Sequence, residues 1–97
     1  MSANTSTKNV IAGTTVYPLE ITEYERGWGS RHDGYLLFLS EDDRIKFLRH
    51  DAQEKRKNSV VPDYYLAYTA IPNRPLLKDT EFIEREFGGD KMYLRWT

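Results

Sequence analysis

Residues 80–89 read TEFIEREFGG, and the reading of this stretch sets the fold. Asp79 precedes it with a side chain suited to capping a helix, Phe82, Ile83 and Phe87 supply an inward side, and Gly88-Gly89 supply the stop. The spacing therefore predicts a short helix over 80–87. Its neighbours bound it on both sides. PNRPLL (72–77) carries Pro72 and Pro75, and prolines that close together break a regular element. KMYLRW (91–96) alternates Met92, Leu94 and Trp96 against Tyr93 and Arg95, which predicts a final strand.

Working back, YYLAYTAI (64–71) alternates Tyr64, Leu66 and Tyr68 against Tyr65, Ala67 and Thr69, a third strand. NSVVPD (58–63) before it reads as a turn. SEDDRIKFLRHDAQEKRKN (40–58) has the strongest helix signal: Ser40 as N-cap with Asp43 three residues on, acids in the first turn, and Lys55, Arg56 and Lys57 in the last. Ile45, Leu48 and Ala52 form its narrow apolar stripe, and Phe47 points away from it, to be packed by another element or left exposed. YLLFL (35–39) is apolar on both faces, as in a covered or central strand. VYPLEITEY (16–24) alternates as a strand that Pro18 assigns to a sheet edge. Residues 1–15, rich in Ser, Thr, Asn and Ala, read as a flexible N-terminal arm. The expected fold is a single α+β domain over 16–97, ordered β-β-α-β-α-β. Its sheet has about four mostly antiparallel strands, with both helices on one face.

The 97 residues carry 14 basic and 15 acidic side chains, a net charge of -1. That balance argues against a bulk electrostatic grip on nucleic acid, so nucleic acid is not an expected partner. No cysteine is present, which removes disulfides, thiolate metal sites and cysteine nucleophiles and fits a reducing cytoplasm. No apolar run reaches membrane-spanning length and no signal-peptide pattern opens the chain, so no membrane association is expected. Seven tyrosines, four phenylalanines and two tryptophans exceed what so polar a chain needs for its core, which leaves aromatics for a binding face.

The strongest candidate for such a face is ERGWGSRHDG (25–34), read as a long hairpin loop. Gly27 and Gly29 free the backbone around Trp28, while Arg26 and Arg31 can fork a phosphate or carboxylate beside the flat indole. Trp28 has a second reading, as a plug folded back onto one end of the core. His32 and Tyr35 complete the candidate binding set of Arg26, Trp28, Arg31, His32 and Tyr35. The tripeptide RHD occurs at 31–33 and again at 49–51, so His32, Asp33, His50 and Asp51 offer a metal-dependent hydrolase reading. Adjacent His-Asp pairs rarely aim at one point, and no catalytic, metal or cofactor motif is assigned. Glu81, Glu84 and Glu86 read as a solvated helix face.

The string E-R-G-W-G-S-R-H-D-G, followed by a short apolar strand and an S-E-D-D helix start, resembles small accessory proteins encoded by tailed bacteriophages, with an E-R-G-W-G-x-R-x-D-G hairpin, over about 21–63. The resemblance implies a protein acting in the infected cell's cytoplasm by binding a host protein or a small signalling molecule. Three readings result. The first is a non-enzymatic interaction protein that modulates a host factor. The second is a homo-oligomer that cradles a nucleotide in the same loop. The third, a small metal-dependent hydrolase or nuclease, needs His32, Asp33, His50 and Asp51 together.

Overall fold

The computed structural model describes residues 6–57 and 62–97. In chain order the elements are β1 (Thr7–Val10), β2 (Thr15–Glu25), β3 (Gly29–Phe38), α1 (Glu41–Lys57), β4 (Tyr64–Ala70), β5 (Arg74–Pro75), β6 (Thr80–Phe87) and β7 (Asp90–Trp96). Seven strands form one antiparallel sheet in the order β1-β6-β7-β3-β2-β4, with β5 added beside the start of β2. Among the described residues α1 is the one helix. The α+β class holds, but the expected four strands and two helices do not.

The largest correction lies at TEFIEREF. This stretch is β6, hydrogen-bonded to β1 on one side and β7 on the other. Phe82 is fully buried with Val10, Val16, Leu37 and Leu76, whereas Phe87 packs against the cluster containing Phe47 and Met92. The strand contributes apolar side chains to both faces, so they do not keep to one parity. That irregular spacing resembles a helical one. Gly88-Gly89 is then the two-residue turn of the β6–β7 hairpin, with both φ angles positive at 53° and 93°. Asp79 caps no helix; its carboxylate accepts the Ala12 amide at 2.8 Å.

The expected arm is corrected likewise, since Thr7–Val10 pairs with Thr80–Ile83 and buries Val10. Pro18 is fully buried in an internal strand and not at an edge. It sits where β2 changes neighbour, from β5 at Thr15 and Val16 to β4 at Leu19. Its carbonyl accepts the Ile71 amide and Arg44 Nη1, and Arg44 also donates to the Ile71 carbonyl at 2.8 Å. Proline has no N–H to offer the Ile71 carbonyl on this side, and Arg44 supplies that carbonyl's donor instead. The turn expected at 58–63 lies mostly outside the described residues.

Two apolar layers hold the sheet. On one face Leu19, Ile21, Leu36, Phe38, Met92 and Leu94 pack under α1; on the other, Val16, Leu37 and Phe82 are closed over by Leu76, whose amide bonds to the Thr14 carbonyl. Ser40 caps α1 by accepting the Asp43 amide at 3.1 Å, as expected. The inward side of the helix is only partly the expected one: of the stripe Ile45, Leu48 and Ala52, Leu48 packs against the core. Phe47 is buried, with its ring 5.4, 5.0 and 5.3 Å from those of Phe38, Tyr68 and Phe87, while Ile45 and Ala52 are exposed.

A candidate interaction surface at the hairpin tip

The segment read as a loop is mostly strand. β2 runs on to Glu25 and β3 starts at Gly29, so only Arg26, Gly27 and Trp28 turn the chain. The Trp28 amide closes the turn on the Glu25 carbonyl at 3.0 Å, and Gly27 and Gly29 both take φ of 85°. β4 continues alongside as far as Tyr64 opposite Glu25, and the Arg26 amide bonds to the Asp63 carbonyl at 2.7 Å. A three-stranded extension therefore carries the turn, and β7 stops short of it, pairing with Leu36, Leu37 and Phe38.

Trp28 is 84 % exposed at this tip. The core-plug reading is thereby overturned, because the sheet has closed both apolar layers without it.

The face shared with α1 carries a polar cluster. Glu23 is buried and accepts from Arg31 Nη2 at 2.8 Å and from the Tyr64 hydroxyl at 3.0 Å. Two donors on one carboxylate account for its burial at so distal a position. The bond to Glu23 pushes the Tyr64 phenol above its ordinary range, with smaller contributions from desolvation and from the charges of Glu23 and Asp33. Glu23, Arg31, Glu25 and Trp28 line a shallow recess of about 170 Å³.

On the opposite face Tyr24 and Tyr65 stand directly across from one another and stack, with centroids 5.1 Å apart and planes 12° apart. Together with Glu25, Arg26, Pro62 and Asp63 they line an open groove of about 580 Å³. Arg26 and Asp63 form an ion pair across it at 3.4 Å, both largely exposed. Further down this face His32 Nδ1 lies 2.8 Å from Glu20, and its ring meets Tyr35 edge-on at 5.0 Å. Arg74 lies over Tyr35 at 5.1 Å.

The five expected binding residues thus divide. Arg26 and Trp28 share the tip, Arg31 lies on the α1 side, and His32 and Tyr35 lie on the other face nearer the core. The arginines do not form a free fork, since each is paired with a carboxylate. The two RHD copies stay apart: His32 meets Glu20, whereas His50 Nε2 bonds to Asp90 at 2.7 Å. That hydrogen bond, with smaller help from the charges of His50, Lys46 and Arg49, holds the Asp90 carboxyl below the usual range. Among the described residues no group of three or more His, Cys, Asp or Glu converges as a metal site, and no helix is long and apolar enough to cross a membrane. Sequence reasoning missed Tyr24, Glu25, Tyr65 and Asp63. Tyr65 was legible as a phenol off the Tyr64–Tyr68 face, but only the β2–β4 register puts Tyr24 against it. None of the protein-family models, curated proteins or solved structures compared with this chain matches it.

Proposed function

We propose that this protein is a non-catalytic interaction protein that docks on another protein through the β2–β3 hairpin tip. In the setting implied by the accessory-protein resemblance, that partner is a host protein in the cytoplasm whose activity is modulated by the contact. The observation that carries the reading is Trp28, a large apolar side chain 84 % exposed at the end of a paired-strand extension, where the fold has no use for it. Tryptophan is the residue type most concentrated at binding hot spots. The stacked Tyr24 and Tyr65 broaden the same end into an aromatic surface on a backbone already ordered by hydrogen bonds, which lowers the entropic cost of docking.

The nucleotide-cradle reading loses support from the same geometry. A phosphate entering between Arg26 and Arg31 would have to displace Asp63 and Glu23 from them, with Glu25 close by.

The test compares wild type with Trp28→Ala as immobilised baits in bacterial cytosol, after circular dichroism has shown equal folding. The expected result is a stoichiometric partner retained by wild type, with affinity lowered at least about tenfold by the substitution. Equal retention by both baits would sink the reading.

A further inference from the structure

We propose that the partner's docking surface is basic. Its arginine and lysine side chains lie on the Tyr24–Tyr65 rings and pair with Glu25 and Asp63, while an adjoining apolar pocket takes the Trp28 indole. This rests on the tip being the contact, as proposed above, and adds the chemistry of what it meets.

Charge leads the argument. The distal hairpin and the start of β4 carry Glu23, Glu25, Asp33 and Asp63 against Arg26 and Arg31, in a chain whose charges otherwise nearly cancel. Arg31 is spent on the buried Glu23 at 2.8 Å, whereas Arg26 holds Asp63 only at 3.4 Å with both side chains largely exposed. Glu25 and Asp33 have no ion-pair partner among the described residues, and both are exposed. The local field is therefore negative although the whole molecule is almost neutral.

Aromatic geometry adds to it. An aromatic face attracts a cation within about 6 Å of its centroid, and guanidinium stacks best. The Tyr24–Tyr65 pair opens into a groove lined by Glu25, Asp63 and Arg26, and Lys55 Nζ already lies 5.9 Å from the Tyr65 centroid. An incoming guanidinium therefore has the Tyr24 ring and the neighbouring Glu25 carboxylate to meet together. The Arg26–Asp63 pair, at 3.4 Å and largely exposed, is weak enough to be exchanged for a partner's cation. The same charges repel the phosphates of nucleic acid and of an anionic membrane surface. Complementary charge also speeds and orients encounter, which suits a small protein that must find one surface among many.

The test is a displayed random-peptide selection on the full-length wild-type protein, with Trp28→Ala as parallel bait and fluorescence-polarisation titration of the winning peptides. The expected winners are rich in Arg and Lys and contain an apolar residue. Their affinity should fall at least about fivefold in Glu25→Gln/Asp63→Asn and about tenfold between low and half-molar salt. Winners that need Trp28 but are neutral or acidic would overturn the basic partner and leave tip docking standing. Winners that bind Trp28→Ala equally well would remove both readings. A selection without basic enrichment also counts against the proposal, and thermal melts of each variant separate lost contacts from lost fold.

Discussion

Gly34 shows how much a single residue decides in this sheet. Between Glu20, opposite Tyr35, and Thr22, opposite His32, β3 spends two residues, Asp33 and Gly34, where β2 spends only Ile21. This bulge changes which β3 residues face α1: Leu36 and Phe38 do so before it, and Arg31, an odd-numbered residue, joins Glu23 on that face beyond it. Gly34 takes φ of 108°, and a Cβ there would drive into the Thr97 carbonyl. Thr97 is fixed in that place by reciprocal amide bonds with Tyr35 at 2.9 and 3.1 Å. Gly27 has a comparable φ of 85° with open space around it. Gly34→Ala should therefore cost about 2–4 kcal/mol and Gly27→Ala only about 1 kcal/mol, measured by urea unfolding. Equal effects would mean that backbone strain, and not the close approach, sets the requirement.

At the scale of elements, what was legible followed from local chemistry. Ser40, the acidic first turn and the basic last turn define α1 without help from the rest of the chain. The alternation at 16–24, 64–70 and 91–96 gives three strands for the same reason. β6 was not legible in this way. Its Glu and Arg content fits a helix, and apolar residues that serve opposite faces, Phe82 on one and Phe87 on the other, blur the period-two signal of a strand with one apolar face. The Gly88-Gly89 pair between two β-capable runs was the clue, since it ends a helix and turns a hairpin equally well. The inward side of α1 was hidden for a related reason: Phe47 meets Phe38, Tyr68 and Phe87, residues from three strands that only the tertiary fold assembles. Phe47→Ala should cost about 3–5 kcal/mol, and Ile45→Ala less than about 1 kcal/mol. Paired thermal melts check this, and a larger loss at Ile45 would restore the stripe read from spacing.

Across the whole molecule the candidate site and the core are separate. The aromatic surplus visible in composition splits between them: Phe38, Phe47, Phe82 and Tyr68 pack the two layers, and Tyr24, Trp28 and Tyr65 stand at the far end of the hairpin. The sequence located that end through its glycines and tryptophan. It did not reveal the sign of the site's charge, because pairing Arg31 with Glu23 and Arg26 with Asp63 depends on register and on β4 arriving alongside. The same separation has a dynamic consequence. β3 is flanked by β2 and β7 at Leu36–Phe38, but over Gly29–Arg31 its only strand neighbour among the described residues is β2, and residues 29–33 are exposed. Local opening of the distal hairpin uncovers little apolar area, whereas freeing Leu36 or Phe38 requires both layers to part. Amides of Leu36–Phe38 should exchange with solvent at least about a hundredfold more slowly than those of Gly29–Arg31, as read by native-state hydrogen exchange. Docking at the tip would then raise protection in the hairpin while leaving the core amides near their free rates. Uniform slow exchange along all of β3 would instead mean that the extension unfolds only with the core, making Trp28 part of a rigid body with the sheet.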